Sequence, residues 1–245
     1  MKEQLFQRID AMAQDLLSMA DFICDNPEIG LEEYKASAVL TEYLRANGFA
    51  VELGVGGLAT AFRAVWQNGE GGPRIGLLCE YDALEGIGHG CGHHLQGPSI
   101  LGAAVALAKT IPSNLPCSIV VYGTPAEETV GGKIIMLKNG CFQDIDLALM
   151  MHASSSGTGV DLRTMALTQL TVRYAGKASH AAICPEAGRS ALDALLLAFH
   201  GIEILREHVP DEIRMHYSVT DGGGPANAVH AHAAAHRELF GLAVG

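Results

Sequence analysis

The feature that most constrains this chain is a series of continuous apolar runs that alternate with stretches of helical spacing. ATAFRAVW (59–66), RIGLLCEY (74–81), CSIVVYG (117–123) and IDLALMMH (145–152) read as strands without a consistently polar face. Strands buried on both sides belong in a largely parallel sheet with helices against each face. SILGAAVALAKTI (99–111) and GGKIIMLKNG (131–140) supply helices between them. Ahead of these, residues 3–53 carry helical apolar spacing broken by NPEIG (26–30), and Gly48 is placed to cap the second helix.

Beyond Gly157 the pattern changes. TQLTVRYAG (168–176) alternates like a half-exposed strand, and residues 191–208 form a strongly amphipathic helix. EIRMHYSVT (212–220) and ANAVHAHAAAHREL (226–239) read as two more strands. Strand, helix, strand, strand makes a small α+β unit with one open sheet face. The domain boundary is therefore expected between Thr158 and Thr164, dividing the chain into 1–160 and 161–245.

Bulk properties mostly exclude. At 245 residues, 49% hydrophobic and 18% charged, the chain buries a sizeable core. A net charge of −11 argues against nucleic acid, which needs clustered Lys and Arg. MKEQLFQRIDAMAQDL mixes charges into its apolar stripe and is no signal peptide, and LGAAVALA is too short to span a bilayer. A cytoplasmic protein without membrane partners is the expectation. Six irregularly spaced cysteines fit reduced, mostly buried thiols, with Cys91 alone in a polar, histidine-rich setting.

Three clusters carry chemistry. Cys91 and His93 lie two apart in GIGHGCGHH, where a turning loop can aim both at one point; thiolate with imidazole is a transition-metal donor set. The alternative is a glycine-rich turn with incidental histidines. Glu127 and Glu128 follow CSIVVYG; one can ligate metal while the other takes a proton from water, the division that metal-assisted hydrolysis requires. Their plainer reading is an acidic helix start. His152 ends IDLALMMH, where a lone histidine is ordinarily a core residue. Yet all three clusters follow apolar strands, and the carboxyl ends of parallel strands open into one crevice. A shared metal centre follows from that common position.

EYDALEGIGHGCGHH, GTPAEE, MHAS and GKASHAA, with NPEIGLEE and DGGGPANAV, together resemble the aminoacylase/carboxypeptidase superfamily of dinuclear metallopeptidases and amidohydrolases. The branch they are most similar to holds a p-aminobenzoyl-glutamate hydrolase component and aminoacylase-like dipeptidases. The resemblance implies a phosphorylase/hydrolase-like α/β catalytic domain and a partial ferredoxin-like lid or dimerisation domain. It makes Cys91, His93, Glu128 and His152 metal ligands and Glu127 the general base. Asp82 matches an acidic position behind the ligands, while His180 and Asn227 match substrate contacts in the second domain. It further implies two divalent ions, zinc first with manganese or cobalt as alternatives, a homodimer formed through the second domain, and hydrolysis of N-acyl amino acid, dipeptide or aminobenzoyl-glutamate-like amides. Two other readings stay open: a non-catalytic remnant that keeps dimerisation and weak metal binding, and a hydrolase using Cys91 as nucleophile.

Relatives of this kind are longer, and their chain returns from the second domain to complete the catalytic sheet and add a further histidine ligand. The resemblance therefore implies that the 245-residue chain alone has no appreciable hydrolase activity. Purified chain assayed with zinc, manganese or cobalt against N-acyl amino acids and aminobenzoyl-glutamate checks this. Chelator-sensitive turnover by a homogeneous preparation would overturn it.

Overall fold

The computed structural model describes residues 1–155, 157–160 and 165–241. The chain divides into two compact units, Met1–Thr158 and Gly159–Gly245. Part of the expected boundary, residues 161–164, lies outside the described residues.

The first unit opens with α1 (Lys2–Asp25), whose apolar positions bury Met12, Met19, Ala20 and Ile23. Pro27 stops it, since proline cannot continue the helical hydrogen bonding. The carboxylate of Glu28 then accepts the backbone N–H groups of Lys35 and Ala36, satisfying two orphan donors at the start of α2 (Tyr34–Ala46). Gly48, at φ 87°, closes α2 in the left-handed conformation that glycine adopts readily.

Five strands make one sheet in the order β1-β2-β4-β3-β5: β1 (Ala50–Leu53), β2 (Phe62–Asn68), β3 (Arg74–Cys79), β4 (Cys117–Gly123) and β5 (Leu147–Met150). β3 pairs parallel with β4 and with β5, whereas β2 is antiparallel to both β1 and β4. Four strands thus point the same way and β2 opposes them. The short link from β1 leaves no room for the crossover that a parallel neighbour needs. β1 itself lay hidden in the sequence, its four residues following directly on a helical pattern. Every residue of β4 is buried, as expected of the central strand.

Helices cover both faces of the central strands, whereas β5, expected from its apolar run to be buried on both sides, is exposed along its length. α1, α2 and α3 (His93–Ala108) pack over Phe62, Leu77, Cys79, Ile119 and Val121. On the opposite face Met136 of α4 (Gly132–Lys138) packs with Val120 and Tyr122. α3 starts at His93, six residues earlier than the apolar run at Ser99 predicts, so His93 begins the helix and Cys91 lies in the loop before it.

The second unit holds β6 (Ala166–Ala175), β7 (Ser179–His180), α5 (Ala191–Leu205), β8 (Arg214–Asp221), β9 (Ala228–Val229) and β10 (His232–Gly241). β10 pairs antiparallel with both β6 and β8, so those two run parallel with β10 between them. α5 buries Leu195, Phe199 and Ile202 against Ala233 and Ala235. The single strand expected over 226–239 is broken: β9 pairs with β7, and the chain changes ladder at His230–Ala231, whose carbonyls accept from Ala191 and Gly176. Among the described residues no helix is long and apolar enough to cross a membrane.

Leu101, in the middle of α3, is wholly buried, whereas Leu17 on α1 is 56% exposed. Leu101→Ala is expected to cost about 2–5 kcal/mol, and Leu17→Ala about 0.5 kcal/mol or less. Equilibrium urea unfolding of the two variants measures the difference.

Candidate metal centre

The carboxyl ends of β3, β4 and β5 bring chemistry to one place because three neighbouring strands run parallel. β3 leads into Glu80 and Asp82, β4 into Glu127 and Glu128, and β5 into His152. The loop before α3 adds Cys91, and the first residue of α3 is His93.

Hydrogen bonding sets the state of each histidine. His93 Nδ1 lies 3.0 Å from the backbone oxygen of Asp82 and 3.2 Å from its Oδ1. A carbonyl only accepts, so Nδ1 carries hydrogen and Nε2 is the atom left for another partner. His152 Nδ1 donates in the same way to Ala153 O at 2.8 Å, and its Nε2 stands 3.5 Å from Cys91 Sγ. The ligating atoms of Cys91, His93 and His152 all lie within 4.8 Å of one another. His93 Nε2 is buried without a hydrogen-bond partner, as is Glu128 Oε1. Orphaned buried polar atoms facing a thiol and a second imidazole are what a soft divalent cation would satisfy.

Glu80, Glu127 and His93 form a second group of donor atoms within 4.8 Å. Glu80 is fully buried, ion-paired with Lys133 through one oxygen, and its Oε2 is 3.3 Å from His93 Nε2 without the alignment of a hydrogen bond. Sequence reasoning missed it. The available signal was its i, i+2 spacing from Asp82 at a strand end, which puts both on one side of an extended chain. Neither three-donor group includes Glu128, which instead lies against the Cys91 thiol. Of the four donors expected to converge, the structure brings Cys91, His93 and His152 together and leaves Glu128 outside the group.

Electrostatics follow from this crowding. Burial pushes the Cys91 thiol up, and Glu128, Glu127 and Glu80 add to it, to about 12. Burial also raises Glu127, aided by Glu80 and opposed by Lys133. Burial alone would raise Asp82, but hydrogen bonds from His93 and the Glu128 N–H (2.9 Å) hold it below the usual carboxylate range. For His93 burial pulls the other way, and the Asp82 and Glu80 carboxylates outweigh it and raise the imidazole.

In the second unit His180 pairs with Ala228 across the β7–β9 ladder, and just beyond it Ala181 N–H donates to Asn227 O at 3.0 Å. Both are exposed. His180 Nδ1 accepts from Ala182 N–H at 3.2 Å.

Known proteins give this geometry a family. The sequence profile of Peptidase family M20/M25/M40 matches residues 64–242. The chain is 38% identical to a p-aminobenzoyl-glutamate hydrolase component of Escherichia coli (strain K12), over 92% of this chain and 50% of that protein. It is also 38% identical to the Xaa-Arg dipeptidase of Mus musculus, over 94% of this chain and 56% of that one. It spans about half the length of these curated relatives. A Bacillus subtilis structure described as a dinuclear metal binding peptidase from the M20 family superposes with a TM-score of 0.67 at 19% identity, covering 96% of this chain and 66% of that one. An aminobenzoyl-glutamate utilization protein from Klebsiella pneumoniae gives 0.67 at 21% identity, covering 97% and 69%. With the family profile matched over most of its length and relatives at 38% identity, the chain belongs to Peptidase family M20/M25/M40.

Proposed function

We propose that this chain carries the metal-binding part of an amidohydrolase that cleaves N-acyl amino acid, dipeptide or aminobenzoyl-glutamate-like amides. The observation that carries the reading is the convergence of Cys91 Sγ with His93 and His152, each histidine holding its Nδ1 hydrogen on a carbonyl and keeping Nε2 for a ligand. The dipeptide and aminobenzoyl-glutamate classes come from the names of the relatives, and the N-acyl amino acid class from the resemblance carried by the sequence motifs. Cys91, His93 and His152 would hold a divalent ion, zinc first with manganese or cobalt as alternatives, with Glu128 closing on it; a second ion would share this centre. Such ions polarise an amide carbonyl and acidify water.

The protein's own groups do the rest. Glu127, raised by partial desolvation and by Glu80, is suited to take a proton from water and pass it to the leaving amine. Asp82 orients His93 and holds the Glu128 backbone. His180 and Asn227 would meet substrate from the second unit. The split β6–α5–β8 arrangement is compatible with a ferredoxin-like domain. Leu197 and Ile204, 71% and 57% exposed on α5, suit a homodimer formed through it. Six free cysteines fit a reducing, cytoplasmic setting. The nucleophilic-cysteine alternative needs a depressed thiol, whereas Cys91 is pushed up by burial and three carboxylates.

Two experiments test the reading. A thiol pushed up to about 12 must lose its proton when a cation binds, so zinc affinity should fall as pH falls. Calorimetry in buffers of different ionisation enthalpy should show proton release, and Cys91→Ser should weaken binding about tenfold or more and reduce that release. Unchanged zinc affinity in Cys91→Ser would sink the centre. In a full-length relative, the substitution matching Glu127→Gln should lower turnover about 10²–10⁴-fold with metal content unchanged. Loss of metal instead would exchange the roles of Glu127 and Glu128.

A further inference from the structure

Among the described residues two non-glycine positions hold a positive φ, Leu31 at 73° and Ala126 at 58°. Such backbone is strained for a residue with a Cβ and persists only where surroundings enforce it. Both meet at one side chain. Glu33 is fully buried, its Oε1 accepts the Ala126 N–H at 2.7 Å, and its Oε2 accepts the Thr60 hydroxyl at 2.7 Å. Burial raises the Glu33 carboxyl above the usual range, and the Thr60 hydroxyl with the Ala126 and Leu31 amides pulls it back toward the charged form. Gly30 packs so closely beneath this turn that a Cβ there would collide with Thr129 and press on Ala126. On the other side of Glu127, the Glu128 N–H is held by Asp82 Oδ2 at 2.9 Å.

Glu127 therefore sits between two amides, each anchored to a buried carboxylate. We propose that Glu33 is a positioning residue for Glu127: its grip on the Ala126 N–H holds the left-handed turn that presents Glu127 at the site. The inference takes the role of Glu127 from the proposed function. The clamp itself is a property of the metal-free fold. A carboxylate suits the task because two donors converge on it and it can accept both.

Amide hydrogen exchange followed by NMR on the metal-free chain tests the clamp without needing turnover. Glu33→Ala should speed exchange of the Glu128 amide about tenfold or more, while Leu77 and Val120 in the sheet stay protected. Glu33→Gln keeps an acceptor for Ala126 and a donor for Thr60, so it should stay near wild type. Ala126→Gly in the Glu33→Ala background should restore protection at Glu128, because glycine adopts this φ without strain. A role confined to core packing would not respond to that second change. Unchanged Glu128 exchange in Glu33→Ala overturns the proposal, and so does the absence of rescue by glycine. If Glu33→Ala does not fold, Glu33→Asp, one methylene too short to reach both partners, must shift Glu128 exchange in the same direction. In a full-length relative, the substitution matching Glu33→Ala should lower kcat about tenfold or more at constant KM. Faster Glu128 exchange with unaltered kcat would leave the clamp in place and refute Glu127 as the base.

Discussion

Asp82 ties the site together. One carboxylate oxygen meets His93 Nδ1, the other accepts the Glu128 N–H, and its backbone oxygen also meets the His93 ring. Burying a carboxylate is expensive unless its lone pairs are filled. Here they are filled by two elements that must then stay put: the start of α3 and the turn after β4. The tautomer of His93, the direction of its Nε2 and the position of the Glu127–Glu128 pair all depend on this side chain. Its own place is set by β3, which is flanked on both sides by parallel partners.

The parallel core of the sheet was legible because its strands are apolar on both faces, and the location of the candidate site because reactive residues follow those strands. Cys91, His93 and His152 converge for the reason their positions suggest. Glu33 and Glu80 were not legible in the same way. A carboxylate reads as solvent-exposed in sequence, and only the fold brings Lys133 to Glu80, or Thr60 and the Ala126 amide to Glu33. The reversed direction of β2 was hidden too, since an apolar run carries no mark of strand polarity. The break at His230–Ala231 depends on backbone partners, Ala191 and Gly176, that no local pattern names.

Glu80 shows how closely the site is balanced. Its pairing with Lys133 leaves one oxygen turned toward His93, so the same buried carboxylate borders both donor groups. His93 Nε2 has one lone pair and belongs to both groups. A cation held by it beside Cys91 and His152 would leave only carboxylate oxygens on the flank of Glu80 and Glu127. The two sides of the cleft therefore differ in softness as well as in charge.

The edge strand β5 has a further consequence. Among the described residues it pairs only with β3, and Leu147, Leu149 and Met150 are each about half exposed. An apolar edge with unpaired backbone groups is a template for a second copy. Long-range repulsion between copies carrying a net charge of −11 opposes that association. Its reach is the Debye length, about 8 Å at physiological ionic strength and about 3 Å at 1 M. Concentrated salt therefore weakens the repulsion that keeps the exposed β5 edges of separate copies apart.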